Sequence, residues 1–575
     1  MSVGSADLIV DTASHRKARG AFFTPAALCD YITAWALRSA QDRVLEPSCG
    51  EAAFLLSAAR RLGDLGATPS AGLLSGVELH EASSREAERL VGQLGWPVDV
   101  QTADFFTVAA RGVFDAVVGN PPYVRYQDFS GGNRAVSRAA ALAAGVPLSG
   151  LASSWAAFTV HAAQFLAPGG RLGLVLPAEL LTVNYAAEVR RFLMERFGRV
   201  RLVLFTERVF PGVLEEVVLL LAEDAHALGG TDVCELTQVR NAAELGLAPG
   251  VQNSNHRWTP NPPSGKWTQA LLPVQALEAY NDVGTKNEFT TLGEWGDTTL
   301  GMVTGNNRYF ALSPARVAEL RIPAEELLPL SPPGSRHLRG LTMAPSAWKE
   351  LGTQGRPTWL FRPAADLSEC SAAARAYITA GEMAGVHRAY KCKVRKPWWR
   401  VPLQRPADLL LTYMNADTPR LSTNSAQVYH LNSVHGVYLH AGRKKLGRQL
   451  LPLASLNTMT LLGAETVGRA YGGGMLKLEP KEADLLPLPA PTLIEEARSK
   501  LVAIRPQMAT ALRSGQLADA ARLVDDILLV GVLGMARRAV RDLEEAHREL
   551  TARRMSRGRS EQANAAAAAL RVVGG

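Results

Sequence analysis

Short apolar runs and longer amphipathic stretches alternate through the first 224 residues of the chain. Each run is typical of a buried strand, and residues at helical spacing lie between the runs. Such alternation predicts a mostly parallel sheet covered by helices, which is an α/β fold. The last two strands are separated only by a short loop and should pair antiparallel. We predict about seven strands, within residues 43–54, 73–77, 98–106, 116–118, 171–176, 200–205 and 216–222.

The pattern changes after residue 224. Residues 225–292 are irregular and contain the turn-rich stretch 258–267, so we interpret them as a connecting segment. Residues 293–491 are predicted to form a second, mixed α/β domain. Residues 492–575 are predicted to form a C-terminal helical segment, in which Pro506 splits or kinks the first helix. The tail beyond about Gly558 has little to bury and should fray.

Several of the predicted strands in the first region end in residues that suit ligand binding. Glu46, Glu78 and Asp104 each close a strand, and Gly50 lies in a turn where a ligand could approach the backbone closely. In an open α/β sheet, ligands gather at the carboxyl ends of the strands, and an acid after the second strand commonly binds ribose hydroxyls. Taken singly, each acid also fits a solvated turn.

The stretch Asn120-Pro121-Pro122-Tyr123 directly follows an apolar strand. Two consecutive prolines fix φ and remove two backbone donors, so the chain turns a stiff corner. The Asn120 side-chain oxygen and the Pro121 carbonyl could accept the two N–H groups of an exocyclic amine, and Tyr123 could stack on the ring. A tight surface turn with no ligand remains the alternative.

Composition narrows the class of protein. The chain has 575 residues, no apolar run that predicts a membrane span and no signal peptide at its start. Its five cysteines lack paired spacing, which favours reduced thiols over disulfides or a zinc site. We therefore expect a cytoplasmic protein without a metal. The net charge of +8 fits a polyanionic partner.

An ordered series of motifs over residues 16–224 resembles the catalytic domain of the adenine-N6 DNA methyltransferases of restriction–modification systems. The order is that of the gamma class, the TaqI type. This resemblance implies a class I S-adenosylmethionine-dependent methyltransferase fold, with a Rossmann-like, mostly parallel, seven-stranded sheet. The motifs are GAFFTP, LEPSCGEAAF, GVELH, ADFF, GNPPYVRY, LAPGGRLGLVLPAELL and VFPG.

The resemblance also implies roles for individual residues. The cofactor-binding residues would be Thr24, Glu46, Pro47, Gly50, Glu78, Asp104 and Phe105, of which Glu78 holds the ribose and Asp104 and Phe105 hold the adenine ring. The target adenine would be held by Asn120, Pro121, Pro122 and Tyr123, with Phe210 over its other face. Two departures concern the glycine loop, which has Glu46 where Asp is also common and Gly50-Glu51-Ala52 in place of G-x-G.

Residues 293–491 resemble a DNA target-recognition domain at both of their ends. Residues 388–405 contain seven basic residues and no acid, with aromatic residues between them. Phosphate contacts and base stacking suit this composition. A solvated basic face with core tryptophans is the alternative. The predicted DNA-binding residues are Arg125, Arg308, Arg388, Lys391, Lys393, Arg395, Lys396, Trp398 and Arg400.

The resemblance implies a site-specific enzyme that methylates N6 of a flipped-out adenine in double-stranded DNA, with S-adenosylmethionine as cofactor. A cytosine-N4 DNA methyltransferase, an RNA adenine methyltransferase and a DNA-binding module without catalysis remain alternatives. A protein-glutamine methyltransferase or a fusion with a nuclease fits the second half of the chain less well. A separate cognate endonuclease, the choice between monomer and dimer, and the recognition sequence stay open.

Overall fold

The chain divides into two structural units in the computed structural model, Met1–Leu271 and Leu272–Gly575. The boundary falls inside residues 225–292, the segment predicted to connect two domains. The structure describes residues 24–124, 132–207, 209–210, 216–247, 256–285 and 287–573.

A nine-stranded sheet forms the centre of the first unit, in the order β3-β2-β1-β4-β5-β7-β6-β8-β9. Strands β1 to β5 run parallel, whereas β7 lies antiparallel between β5 and β6, as the sequence predicted for the last pair. The strands are β1 Val44–Pro47, β2 Leu74–Glu78, β3 Asp99–Thr102, β4 Phe114–Gly119, β5 Leu166–Pro177, β6 Phe197–Phe205, β7 Val217–Ala225, β8 Cys234–Val239 and β9 His256–Trp258.

The sheet is wider than the seven strands that the sequence predicted. Strand β8 pairs in parallel with β6, and β9 then pairs with β8, so the sheet continues past residue 224. These two strands are short and lie at the sheet edge, where backbone pairing with β6 substitutes for a long apolar run. The α-helices of the unit are α1 Ala26–Ala36, α2 Ala53–Asp64, α3 Glu81–Gln93, α4 Gly132–Ala143, α5 Ser154–Ala163, α6 Glu179–Thr182 and α7 Ala187–Arg196.

Helix α1 packs closely on β5. A Cβ atom built at Gly173 would lie 2.5 Å from Cγ2 of Ile32, so only glycine fits under the helix. Leu28 and Ile32 on α1 are completely buried. Because the helix cannot lift away without losing this packing, Thr24 just before it has a defined position over the sheet.

Arg190 on α7 holds two loops of the first unit together, although no carboxylate among the described residues pairs with it. Its side chain is 1% exposed and donates to the carbonyl oxygens of Leu180 (2.8 Å), Val183 (3.1 Å) and Ser264 (3.0 Å). Burial lowers the pKa of its guanidinium to about 10, so the charge is retained at neutral pH. The turn-rich stretch 258–267 is therefore packed into this unit.

The second unit contains four small sheets surrounded by helices. They have the orders β11-β19-β16-β18-β14, β12-β15-β13, β17-β21-β20 and β10-β22. The strands are β10 Phe289–Thr291, β11 Gly296–Leu300, β12 Ala311–Leu312, β13 Leu327–Pro329, β14 Thr342–Met343, β15 Trp359–Phe361, β16 Leu409–Thr412, β17 Met414–Asn415, β18 Leu421–Asn424, β19 Val434–Leu439, β20 Arg469–Tyr471, β21 Met475–Lys477 and β22 Pro487–Pro489.

Helices dominate the C-terminal part of the second unit, and no helix in the described ranges is long and apolar enough to cross a membrane. The α-helices are α8 Val274–Thr285, α9 Leu292–Trp295, α10 Asn307–Phe310, α11 Pro314–Leu320, α12 Pro345–Thr353, α13 Ala372–Met383, α14 Tyr390–Lys393, α15 Lys444–Ala454, α16 Thr458–Val467, α17 Pro480–Ala483, α18 Pro491–Glu496, α19 Arg498–Arg513, α20 Leu517–Asp525 and α21 Arg537–Val573.

A buried ion pair joins the last helix to the body of the second unit. The Arg554 guanidinium on α21 lies 2.8 Å from the Glu465 carboxylate on α16, and both side chains are nearly inaccessible. Arg554 also donates to the carbonyl oxygens of Gly474 and Asp417. Since the Arg554–Glu465 pair is buried, α21 is an integral part of the unit at least as far as this arginine.

Replacement of Arg190 by alanine should destabilise the first unit strongly, because three buried carbonyl oxygens lose their donor. We expect the free energy of unfolding to fall by roughly 3–5 kcal/mol. Chemical denaturation of the variant measures this. Arg191 is the matched control, since it is the next residue on α7, is exposed and pairs with Glu188. A midpoint for Arg190→Ala equal to that of Arg191→Ala would contradict the role of Arg190.

Candidate active site

The carboxyl ends of β1, β2 and β4 meet at one edge of the sheet because the strands are adjacent and parallel. This brings together residues that are far apart in the sequence. Glu46 and Pro47 end β1, Glu78 ends β2, and Asn120 directly follows β4. The site residues predicted from the strand ends therefore lie together. They lie at the edge where open α/β sheets bind their ligands.

The loop after β1 has an unusual backbone conformation. Ser48, Gly50 and Ala52 all have positive φ, of 59°, 51° and 64°. Ala52 occupies the position where the common pattern has a second glycine. A left-handed alanine costs about 1–2 kcal/mol, so the surrounding contacts must hold it. The amide of Gly50 donates to Oε2 of Glu78 over 2.9 Å, which ties the loop to β2.

Glu46 faces the start of helix α2. It is 3% exposed, and its carboxylate accepts from the amides of Leu55 (2.8 Å) and Phe54 (3.4 Å). Burial raises the pKa of Glu46 to about 8, although these two hydrogen bonds act in the opposite direction. The carboxyl group therefore exchanges its proton near neutral pH in the protein without ligand.

Glu78 uses both carboxylate oxygens within the protein. Oε2 accepts from Gly50, and Oε1 accepts from the amide of His80 over 3.0 Å. A carboxylate offers about four acceptor positions, so each oxygen keeps capacity for a ligand hydroxyl. This arrangement fits the predicted contact with a ribose, which stays a prediction.

Asp104 and Phe105 form the start of a short 3₁₀ helix after β3. The Asp104 carboxylate accepts from the amide of Phe106 over 3.0 Å and so caps the segment Phe105–Thr107. Phe105 is buried and stacks on Phe165 with ring centroids 5.1 Å apart. The ring of His161 packs edge-on against Phe105, and its Nε2 lies 3.1 Å from the Phe105 carbonyl oxygen. The sequence motif did not reveal this support by α5.

The corner after β4 is held by contacts with three distant parts of the chain. Nδ2 of Asn120 donates to Oγ1 of Thr24 over 3.1 Å. The Tyr123 hydroxyl lies 2.7 Å from Oδ1 of Asn120 and 2.9 Å from the carbonyl oxygen of Val175 on β5. The hydroxyl can donate to Oδ1 of Asn120, and this amide oxygen keeps a second lone pair that can accept from another group.

Ser154 at the start of α5 was not predicted, but it holds the same corner. Its hydroxyl donates to the carbonyl oxygen of Pro122 and accepts from the amide of Val124 over 2.9 Å. A serine at a helix start is common, and only the fold shows that this one lies against the corner.

The remaining predicted residues of the first unit lie in the core or outside the described ranges. Pro121 is buried. Phe210 is 4% exposed and belongs to the same hydrophobic cluster as Tyr123. The predicted DNA contact Arg125 lies outside the described residues.

Five predicted DNA-binding residues of the second unit are exposed. None of them has an ion-pair partner within the part of the chain that the structure describes. An aromatic ring, that of Tyr390, is also 73% exposed among them. The five residues are Arg308, Arg388, Lys391, Lys393 and Lys396, and we call them the basic surface residues.

The other three predicted DNA-binding residues make contacts inside the second unit. Arg395 donates to the carbonyl oxygen of Thr304, and its guanidinium lies over the ring of Phe310 at 5.4 Å. The Trp398 indole donates to Glu382 over 3.0 Å and packs on the aromatic core. Arg400 donates to the carbonyl oxygen of Pro363. The stretch 388–405 carries only positive charges. Its aromatic residues pack on the core, however, so some of its basic residues make contacts inside the unit.

The protonation of Glu46 should make the stability of the ligand-free protein depend on pH. The folded state holds a proton up to about pH 8, whereas an unfolded glutamate releases it near its ordinary pKa of 4.5. Since the folded state binds more protons in this window, stability should fall as pH rises from about 4.5 to 8 and then level off.

Glu46→Gln, which imitates the neutral carboxyl, removes this contribution. Denaturation of wild type and variant between pH 5 and 9 should show the wild type losing stability relative to the variant up to about pH 8. A difference between the two proteins that does not change with pH would show that Glu46 is ionised throughout.

Comparison with known proteins places the chain among enzymes of one kind. The family described as "Eco57I restriction-modification methylase" matches residues 84–210. The family described as "Type II methyltransferase M.Eco57I, C-terminal domain" matches residues 264–529. The two matches fall on the two structural units in turn.

Individual relatives agree with these families. The type II methyltransferase M.XamI of Xanthomonas campestris pv. amaranthicola is 26% identical over 504 residues, which cover 84% of this chain and 88% of that protein. M.AccI of Acinetobacter calcoaceticus is 22% identical over 482 residues, covering 81% and 85%.

A solved structure supports the fold across both units. The type IIL restriction–modification enzyme MmeI, determined in complex with DNA, aligns with a TM-score of 0.51 and 13% identity, over 94% of this chain and 80% of that one. The families and relatives that match are methyltransferases, and S-adenosylmethionine is the methyl donor. The chain belongs to the type II methyltransferases of restriction–modification systems.

Proposed function

We propose that this protein transfers a methyl group from S-adenosylmethionine to N6 of an adenine flipped out of duplex DNA. It does so at a specific sequence and protects that sequence from a cognate endonuclease on a separate chain. The observation that carries the proposal is the corner at Asn120–Tyr123. Its amide oxygen can accept from an amine, because it has two lone pairs and the Tyr123 hydroxyl occupies one of them.

The target amine is a weak nucleophile because its lone pair is delocalised into the ring. Oδ1 of Asn120 and the carbonyl oxygen of Pro121 accept its two N–H groups, which favours a tetrahedral nitrogen with a localised lone pair. A carbon–nitrogen bond then forms as the carbon–sulfur bond breaks, and N6 releases a proton to water. Positioning and electrostatics carry the catalysis, and the chain needs no strong base.

The donor groups along the sheet edge fit the cofactor. Glu78 keeps acceptor capacity for ribose hydroxyls, and Asp104 with Phe105 offers a polar and an aromatic group for an adenine ring. The backbone of the loop around Gly50 leaves space for a close approach, since a Cβ there would meet nothing within 4 Å. Bound S-adenosylmethionine supplies an electrophilic methyl group on a sulfonium, which is a good leaving group.

Base flipping follows from the geometry of the reaction. An amine inside a duplex cannot meet a methyl group held at the edge of a sheet, so the target base must leave the stack. Tyr123 would stack on the extruded adenine. Phe210 would lie against its other face, which requires the buried ring to become accessible when DNA binds.

DNA binding is proposed for the basic surface residues of the second unit and for Arg125. Unpaired, exposed lysines and arginines release counterions when they contact phosphates, which supplies most of the affinity for a duplex. Arg395, Trp398 and Arg400 support this surface from within, through the contacts described above. The structural neighbour MmeI was determined in complex with DNA.

Incubation with labelled S-adenosylmethionine and duplex DNA of mixed sequence, followed by digestion to nucleosides, tests the proposal. Labelled N6-methyladenine is the expected product. Labelled N4-methylcytosine would retain the fold and the cofactor but overturn the assignment of the base. Label on RNA or protein and none on DNA would overturn the substrate class.

Asn120→Ala should abolish methylation of DNA and leave the binding of S-adenosylmethionine unchanged. The variant loses one of two acceptors for the target amine, and a single oriented hydrogen-bonding group is worth about 100- to 1000-fold in rate. Single-turnover rates and calorimetric titration with the cofactor measure the two effects. Methylation at the wild-type rate would rule out this mechanism.

Neutralising Lys391, Lys393 and Lys396 to glutamine should flatten the salt dependence of DNA binding. Each phosphate contact contributes about 0.9 to the slope of log K against log salt, so the slope should fall by up to about three. Arg85, Arg89 and Arg191 give a control with the same change in charge, since each pairs with a glutamate on the first unit. Equal slopes for both triple variants would exclude the lysines as phosphate contacts.

A further inference from the structure

The start of helix α5 grips the backbone on both sides of Tyr123. The Ser154 hydroxyl donates to the carbonyl oxygen of Pro122, and it accepts from the amide of Val124 over 2.9 Å. The Ser154 amide also donates to the carbonyl oxygen of Val124 over 3.0 Å. Ser154 is 2% exposed, so water cannot substitute for these bonds. The tyrosine that would stack on the target base therefore has its neighbours fixed in the chain.

A second set of polar groups holds the helix start itself. Trp155, completely buried, donates from its indole nitrogen to Oε2 of Glu179 over 3.1 Å. The Tyr185 hydroxyl donates to the same carboxylate oxygen and lies 3.0 Å from the hydroxyl of Ser153. Burial and the adjacent Glu179 carboxylate raise the pKa of the Tyr185 hydroxyl, so it remains a donor at neutral pH.

Both sets of contacts are anchored to strand β5. Its residue Val175 supplies the carbonyl oxygen near the Tyr123 hydroxyl, and Glu179 follows the end of the same strand. The ring of Tyr123 is thus fixed at its hydroxyl by the strand. Its backbone is fixed by Ser154 on a helix that Glu179 anchors to the end of that strand. Neither contact touches the cofactor-binding edge at β1 and β2.

We infer that Ser154 is a positioning residue for methyl transfer and that Glu179 acts through Tyr185 and Trp155 to fix the helix that carries it. The inference rests on the proposed function. Ser154 sets the position of the proline carbonyls and of the Tyr123 ring against the target amine. Misplacement of reacting groups by about 1 Å can lower a rate about 100-fold.

Ser154→Ala is the direct test. We expect the single-turnover rate of methylation at saturating DNA to fall about 10- to 100-fold, with the dissociation constant of S-adenosylmethionine unchanged. The cofactor edge of the site keeps all its contacts in this variant. A general structural defect would instead lower the cofactor affinity together with the rate.

Ser57→Ala is a matched control in the same unit. Ser57 is 3% exposed and, like Ser154, makes two hydrogen bonds through its hydroxyl, to Asp30 and Thr33. Its loss should lower the thermal midpoint by a similar amount and leave the methylation rate near that of wild type. If Ser57→Ala lowers the methylation rate as much as Ser154→Ala does, the effect of Ser154 is explained by stability alone. That result would overturn the inference.

Two substitutions of Glu179 distinguish a role as hydrogen-bond acceptor from a role as a charge or a base. Glu179→Gln keeps an oxygen that can accept from Tyr185 and should retain most of the rate, whereas Glu179→Ala should lose rate to an extent similar to Ser154→Ala. If both Glu179 variants keep the wild-type rate, the anchoring role assigned to Glu179 is wrong.

The outcomes separate the inference from the function on which it rests. Absence of N6-methyladenine with the wild-type protein overturns the proposed function, and the inference falls with it. A wild type that methylates adenine beside a Ser154→Ala variant that is equally fast overturns the inference alone.

Discussion

Parallel pairing of β1 with β2 and β4 is the constraint on which the candidate site depends. The register Glu46 with Gly76 and Val44 with Ala116 puts the ends of the three strands at the same level. Glu46 and Glu78, which are 32 residues apart in the chain, thereby lie near the ends of adjacent strands, and the amide of Gly50 in the loop after β1 donates to Glu78. A slip of one residue would turn every side chain to the opposite face of the sheet. The register of the strands thus determines which side chains come together at this edge, and the chemistry of the edge depends on that register.

Order along the chain made much of this predictable. The alternation of apolar runs and helices indicated the sheet, and the polar residue after each run indicated the edge where ligands bind. The contacts that hold these residues were not predictable in the same way. Asn120 meets Thr24 across 96 positions, and Ser154 reaches Pro122 across 32. Nothing local distinguishes such a threonine or serine from an ordinary helix-start residue, because the partner is chosen by the fold.

For the basic stretch of the second unit, the composition indicated the kind of surface but not which of its side chains face solvent. Its composition indicated a surface for a polyanion, and five of the predicted residues are exposed and have no ion-pair partner in the described chain. Trp398 and Arg395 were included by the same pattern, yet they pack on the core around Phe310. Charge and aromatic content describe a segment as a whole. Which side chains face solvent is decided by the apolar surface that the tryptophans must cover.

The left-handed conformation of Ala52 has a consequence for the entropy cost of binding a cofactor at this edge. The bent shape of the loop from Ser48 to Ala52 is held by the hydrogen bond from the amide of Gly50 to Glu78. A flexible glycine at position 52 would leave that shape to be formed on binding, at a cost in conformational entropy. With alanine, the ordering belongs to folding rather than to ligand capture. A methyl donor bound at this edge, as proposed, would then lose little affinity to ordering the loop.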